Sequence, residues 1–356
     1  MSTIYITEAG TLLKIQDNHV KVFHQQQLSI SLPIPHVSQI ILFGQNHLSS
    51  KTIKLLLYHH ISVLFLSQHG EYLGRLENDS PHQPKYLAKQ VKRSQDTEFI
   101  INTAQSCMGA QLHNQLLLLQ HFTHHVCLSR IQTAQNFLAL LIEDLPMANS
   151  LEELREYETS AASFYYPALS SFLPQKFKFK QRYSRTPSDV VNILLNLGYT
   201  LLHQHIHTLL KSSGLHPNWA SLHQEAYHHS PLACDLMAEF RAPLVDDLVV
   251  NLLKKRTMTL DNYTLPGKQR NTQFDCNLLK IFLHHWEEKL KTLVVHPLVG
   301  EVSYRQCLEW QVQEYIACLL GDIDFYRPLL VKLKLAQSNF TNTGVREKRL
   351  LEMVKR

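Results

Sequence analysis

No stretch of the chain approaches the ~20 consecutive apolar residues that cross a bilayer, so a membrane-spanning helix is not expected. The opening residues, MSTIYITEAGTLLKIQ, lack a basic leader followed by an apolar core, and no secretory signal is read there. The six cysteines (Cys107, Cys127, Cys234, Cys276, Cys307 and Cys318) are scattered and form no CxxC pair. That argues against a structural zinc site and for reduced thiols in the cytoplasm. Internal repeats and low-complexity tracts are also missing. What remains is an ordinary globular composition, 44% apolar over 356 residues, enough for two domains. The net charge of +5 permits a polyanionic partner without requiring one, and the 22 histidines have no common role.

The first part reads as strands. TIYIT, TLLKIQ, HVKVFH, QLSISLPI and VSQIILFG are short β-rich segments broken by Gly, Asn and Pro. SSKTIKLLLYHH predicts a short helix capped by Ser49 or Ser50, ISVLFLS a buried strand, and GEYLGRL the close of the region. ENDSPHQP, polar with two prolines, predicts a linker. From there helical periods dominate: AQLHNQLLLLQHF, AQNFLALLIEDL, DVVNILLNLGYTLLHQHIHTLLKSSG, PLVDDLVVNLLKK and CNLLKIFLHHWEEKL. Pro187 and Asp189 open the longest of these and Gly214 closes it. The expected fold is therefore α+β: a small β-rich N-terminal domain (1–78), a linker (79–90) and a larger all-α-helical C-terminal domain (91–356).

Chemistry concentrates in three stretches. In LREYETSAASFYYPAL, small residues after Glu158 permit close helix packing, which holds this carboxylate near a neighbour or leaves it on a solvated helix face. In KFKFKQRYSR, Lys176, Lys178, Lys180, Arg182 and Arg185 alternate with Phe177, Phe179 and Tyr183. Alternation separates cations from rings, as suits a phosphate backbone or equally an edge strand with protective lysines. In SLHQEAYHHSPLACDLMAEFRAP, His223 can bind a divalent ion through neutral imidazole, and Asp235 and Glu239, four residues apart, share a helix face. One histidine with carboxylates suits Mg²⁺ or Mn²⁺ better than zinc, and Arg241 is placed to hold a phosphate. The same acids also fit an ordinary helix surface. The alternate histidines His203, His205 and His207 do not share a helix face, so they are poorly placed to converge on a metal.

Several ordered motifs over some 300 residues then resemble the CRISPR-associated adaptation integrase and endonuclease family. The N-terminal match is VSQIILFGQNHLSSKTIKLLLYHHISVLFLSQHGEYLGRL. The helical matches are YETSAASFYY, RTPSDVVNILLNLGYTLL, SSGLHPNWASLH, DLMAEFRAPLVDDLV and YRQCLEWQVQEYIACLLGDIDFYRPLL. The resemblance implies a Mg²⁺- or Mn²⁺-dependent DNA endonuclease that inserts spacers into a CRISPR array by 3′-OH transesterification. It also implies a homodimer, dimerised through the β-rich domain, that works with a small CRISPR-associated partner protein on double-stranded protospacer and repeat DNA. Carried over, Glu158 and His223 are metal ligands, Lys176 to Arg185 contact DNA, and Asn192 supports the site from behind. This chain departs where the family places its third acidic ligand: that position is Ala238, leaving Asp235 and Glu239 as joint candidates. Glu239, next to the vacated position and longer in reach, is expected to matter more than Asp235. Thr159 and Ala220 also stand where the family commonly has glycine.

Overall fold

In the computed structural model, residues 2–78, 83–123, 129–183, 189–223, 230–254 and 276–332 are described. The chain forms two compact units, Met1–Ser80 with Arg256–Trp286, and Pro81–Lys255 with Glu287–Arg356. The architecture is α+β, a β-rich N-terminal part followed by a mostly helical part.

The first unit runs β1 (Ser2–Ile6), β2 (Leu12–Gln16), β3 (His19–His24), β4 (Gln27–Pro33), β5 (Val37–Phe43), β6 (His47–Leu48), α1 (Ser50–Tyr58), β7 (Ser62–Leu66) and β8 (Tyr72–Leu76). Strands β2, β3 and β4 form an antiparallel meander, and β6 pairs with β2. Its two tight turns place Asp17–Asn18 and Gln25–Gln26 at positive φ, the mirror-image turn that matches strand twist. A second sheet, in the order β1-β5-β7-β8, is parallel except for β8. Its β5 is a continuous apolar run buried from Ile40 to Phe43, as a central parallel strand requires. Inward-facing Ile4, Leu13, Val20, Val22, Leu42 and Val63 meet Leu56 of α1 in one core. The Ser49 hydroxyl caps α1 by accepting from Thr52 N at 3.1 Å.

The second unit contains α2 (Pro84–Arg93), α3 (Thr97–Thr123), α4 (Ser129–Asp144), α5 (Leu151–Ser171), α6 (Val190–Ser212), α7 (Pro231–Phe240) and α8 (Asp247–Lys254). Helix α9 (Cys276–Lys291) is divided between the units at Trp286. The strands β9 (Leu293–His296) and β10 (Gly300–Ser303) and helix α10 (Tyr304–Leu320) complete the fold. Helix α3 is buried on every face from Cys107 to Leu112, which marks it as the central element. Asp189 caps α6 through Asn192 N at 2.9 Å. Gly214 takes the left-handed conformation just past its end, as the helix punctuation predicts.

Four expectations change. The linker expected over 79–90 is helical from Pro84, because a proline read as a breaker also fits the first position of a helix. Gln90 of that helix is buried and exchanges hydrogen bonds of 2.9 Å with both the N–H and the carbonyl of His216. The part expected to be all helical carries the β9–β10 hairpin. The run PLVDDLVVNLLKK is not one α-helix, since Arg241–Asp246 is π-helical and α8 follows it. Pro243 lies inside that segment and has no N–H to give an α-helical ladder. KFKFKQRYSR, finally, is no strand: a 3₁₀ turn at Gln175–Phe177 leads into irregular backbone. Its alternation survives, with Phe177 and Phe179 buried and Lys176, Lys178 and Lys180 exposed. The Ser170 hydroxyl satisfies both the N–H and the carbonyl of Phe179, at 3.0 and 2.8 Å, in place of a strand partner. No helix among the described residues is long and apolar enough to cross a membrane.

Candidate functional site

Helix α5, capped by Ser150, carries Glu158 two turns from its start, next to the fully buried Ala161. His223 lies in a loop that α7 holds from behind. The Asp235 carboxylate accepts the backbone N–H groups of Ser221 (2.7 Å) and Leu222 (3.0 Å) on one oxygen. On the other it accepts His223 N at 3.1 Å and His223 Nδ1 at 2.7 Å. Four donors on one buried carboxylate form an anion nest, and they place the imidazole proton on Nδ1. Nε2 then faces Glu158, whose Oε2 lies 3.7 Å away. That separation is too long for a hydrogen bond and of the order expected for two donors sharing one small cation. Arg155, one turn before Glu158, ties the two elements together by donating to the Leu222 carbonyl at 3.2 Å.

The other predicted residues divide clearly. Asp235 sits behind His223 as its positioning residue, with both oxygens engaged. Glu239 does not reach the site. It is buried among Tyr326 (2.7 Å), Gln311 (3.3 Å) and the N–H of Leu329, all donating to its carboxylate. Burial pushes its pKa up to about 7, against the lowering effect of those hydrogen bonds. The expectation that Glu239 outweighs Asp235 at the site is therefore reversed. Ala238 is buried and offers only a methyl group. Among the described residues no group of three His, Cys, Asp or Glu side chains is placed to hold a metal ion. Asp235→Asn should lower activity by about ten- to a hundredfold in a strand-nicking assay, since the amide no longer holds the ring as its carboxylate does. Unchanged activity would remove its positioning role.

Arg241 donates to Glu158 Oε1 at 3.1 Å. Burial alone would lower its pKa, but the Glu158 charge and its neighbours outweigh this and hold it above the ordinary value. The π-helical turn adds a feature that the sequence reading missed. It presents Arg241 and Asp246, five residues apart, to the same ring, Tyr199. The Arg241 guanidinium lies 5.9 Å from that ring and the Arg182 guanidinium 5.1 Å from it, a cation–π arrangement. Asp246, fully buried, accepts the hydroxyls of Tyr199 and Tyr165 (2.7 Å for the latter), and Tyr166 joins Tyr199 at 3.0 Å. Burial raises the Asp246 pKa to about 6 despite these bonds. Pro243 within RAPLVDD was the available signal, but partners so distant in sequence leave no periodic trace.

Of the basic candidates, Lys176, Lys178 and Lys180 project from the surface. Arg182 instead donates to Asn192 Oδ1 at 3.1 Å and to Asn196, and Arg185 lies outside the described residues. Asn192, fully buried, also takes the Tyr183 N–H at 2.9 Å and donates to the Gln181 carbonyl at 3.1 Å. It anchors the end of the basic stripe on α6 and does not touch Glu158 or His223. His203 faces the Ser230 carbonyl at 3.1 Å, and burial drives His205 down to about 3.

Residues 4–288 match the family model described as CRISPR associated protein Cas1. A protein from Thermus thermophilus named CRISPR-associated endonuclease Cas1 3 is 28% identical over 336 residues, covering 93% of this chain and 98% of that protein. A Mycobacterium tuberculosis protein named CRISPR-associated endonuclease Cas1 is 29% identical over 254 residues, covering 71% of this chain and 74% of that one. Among solved structures, a casposase bound to integration product has a TM-score of 0.80 at 19% identity, covering 98% of this chain and 99% of that one. A Cas1 protein from Thermotoga maritima has a TM-score of 0.77 at 20% identity, covering 90% and 97%. With the family model spanning most of its length, the chain belongs to the Cas1 family.

Proposed function

We propose that this chain acts in CRISPR adaptation as a DNA endonuclease and integrase. Support for the reading comes from family membership and from one observation in particular: Glu158 and His223, from separate elements, face each other across 3.7 Å beside the part-buried Arg241. In this reading a phosphodiester of double-stranded DNA, from protospacer or repeat, enters between them and a 3′-hydroxyl attacks it. Attack by water on the same phosphodiester gives nicking. Glu158 and His223 fit Mg²⁺ or Mn²⁺ as an oxygen and an imidazole donor, and such hard ions are commonly held by one or two carboxylates with water and substrate phosphate completing the shell. When bound, the ion would supply charge stabilisation to the attacking and leaving oxygens. Asp235 holds the His223 ring so that Nε2 faces the reacting group, and Arg241 offers a planar guanidinium to a phosphate oxygen. In this reading the working unit is a homodimer joined to a small CRISPR-associated partner; a solved Cas6-RT-Cas1–Cas2 complex contains a chain of the same fold.

The exposed lysines carry the DNA along the surface in this reading, an electrostatic and sequence-independent contribution. Replacing Lys176, Lys178 and Lys180 together by alanine should weaken duplex binding about equally for all sequences and flatten its salt dependence by about three phosphate contacts. Joining of 3′-OH duplex ends to a repeat-bearing plasmid should fall with it. Unchanged affinity and salt slope in a titration from low to moderate salt would assign the stripe to surface solubility alone.

A further inference from the structure

Asp246 is fully buried and spends both oxygens on tyrosines. Tyr165 donates its hydroxyl to Oδ2 at 2.7 Å, and Tyr199 donates to Oδ1. Burial holds the phenols of Tyr165, Tyr166 and Tyr199 above the ordinary range, so Tyr199 keeps its proton. With that proton on Asp246, the Tyr199 oxygen accepts the Tyr166 hydroxyl at 3.0 Å. The two tyrosines that serve Asp246 differ in what their rings meet. The Tyr165 ring packs edge-on against Tyr166, with centroids 5.1 Å apart. The Tyr199 ring instead has two guanidinium groups against it, Arg182 at 5.1 Å and Arg241 at 5.9 Å. Arg241 then donates to Glu158 Oε1 at 3.1 Å, while the other Glu158 oxygen faces His223 Nε2 at 3.7 Å. A buried carboxylate is an expensive way to fill a core, but a fully satisfied polar network makes a core rigid.

We propose that Asp246 is a positioning residue for the reaction, acting through Tyr199: it fixes the ring against which Arg241 lies, and Arg241 in turn aims Glu158 at His223. The inference rests on the function proposed above and deepens it. A cation–π contact is weak and follows the ring face, so it positions a guanidinium only where the ring itself cannot tilt. A hydrogen bond from the phenol to an anion supplies that restraint, being stronger than one between neutral groups. The π-helical turn makes the arrangement possible, because it brings Arg241 and Asp246, five residues apart, to the two ends of one side chain. A small displacement of Arg241 re-aims the Glu158 carboxylate that it holds, and misplacement of that size is felt in rate.

The test compares Tyr199→Phe with Tyr165→Phe in the full chain. Each removes one hydroxyl from the same carboxylate, but only Tyr199 lies against the arginines. Per folded molecule, Tyr199→Phe should lower kcat for duplex nicking about tenfold with KM within about threefold, whereas Tyr165→Phe should keep both within about twofold. A second readout needs neither DNA nor metal: the arginine Nε–H signals in a proton–nitrogen correlation spectrum, assigned with Arg182→Lys and Arg241→Lys. The Arg241 signal should be displaced by the Tyr199 ring in the natural chain and in Tyr165→Phe, and should move toward the ordinary arginine position in Tyr199→Phe. Equal kcat losses in the two variants, or none in either, overturn the proposal, and so does an Arg241 signal that Tyr199→Phe leaves unmoved. A natural chain that neither nicks nor joins any duplex overturns the function proposed above, and the Arg241 signal then decides by itself whether the phenol fixes the guanidinium. Should circular dichroism show Tyr199→Phe unfolded, Asp246→Asn is compared with Tyr165→Phe by the same two readouts and the same outcomes decide.

Discussion

His223→Ala is expected to lower nicking and strand joining by about a hundredfold or more while duplex affinity changes by less than about threefold. The asymmetry follows from where the imidazole stands. Its Nδ1 is fixed by Asp235 and its Nε2 faces Glu158, so under the proposed function it stands at the reacting centre, whereas binding of the DNA backbone is assigned to the exposed lysines. Interactions made chiefly as charge develops on the phosphodiester affect rate more than binding. Glu158→Ala should follow the same pattern, with the added loss of the Arg241 partner. A plasmid-nicking assay in Mg²⁺ and Mn²⁺, run beside a gel-shift titration, measures both halves. Full activity in His223→Ala sinks the assignment of the site.

The second large effect concerns stability. Glu239→Ala should destabilise the fold by about 2–4 kcal/mol, because it strands the donors of Tyr326, Gln311 and Leu329 in a buried setting. Activity per folded molecule should change little, since the Glu239 carboxylate is taken up by Tyr326, Gln311 and Leu329. The same carboxyl gives a pH signature. Its folded pKa of about 7 lies above the ordinary 4.5, so folding favours the protonated form. That contribution is fully present below about pH 4.5 and is lost as pH rises through about 7, a change of about 3 kcal/mol. Glu239→Gln, which cannot ionise, should therefore gain stability relative to the natural chain across that window in denaturant titrations. A constant difference between the two proteins from pH 4.5 to 8 would contradict the buried, titrating carboxyl. A nicking loss in Glu239→Ala as deep as that of His223→Ala would return Glu239 to the site.

Much of the fold was legible because it is encoded locally. Short β-rich segments broken by Gly, Asn and Pro marked β2, β3 and β5, and Ser49 and Asp189 announced their helices by hydroxyl and carboxylate caps. Glu158 and His223 were singled out from the motifs around them, and the structure places them 3.7 Å apart. The linker was misread because Pro84 ends one kind of structure and begins another. The basic stripe was read correctly in which side chains are exposed and incorrectly in its backbone, since Ser170 takes up the hydrogen bonds of Phe179 that would otherwise demand a strand.

The roles of Asp235 and Glu239 mark the boundary between the two kinds of information. By sequence both are acids on neighbouring positions of one helix, four residues apart, and either suits a metal. Local periodicity determines that they sit on α7, that Ala238 between them carries no donor, and that Arg241 follows. Only the tertiary structure decided that Asp235 meets the N–H groups of residues 221–223, while Glu239 meets Gln311, Tyr326 and Leu329, more than 70 residues further along. The physical reason is that a buried carboxylate takes its role from the donors around it, and those donors come from segments whose approach no spacing within α7 encodes.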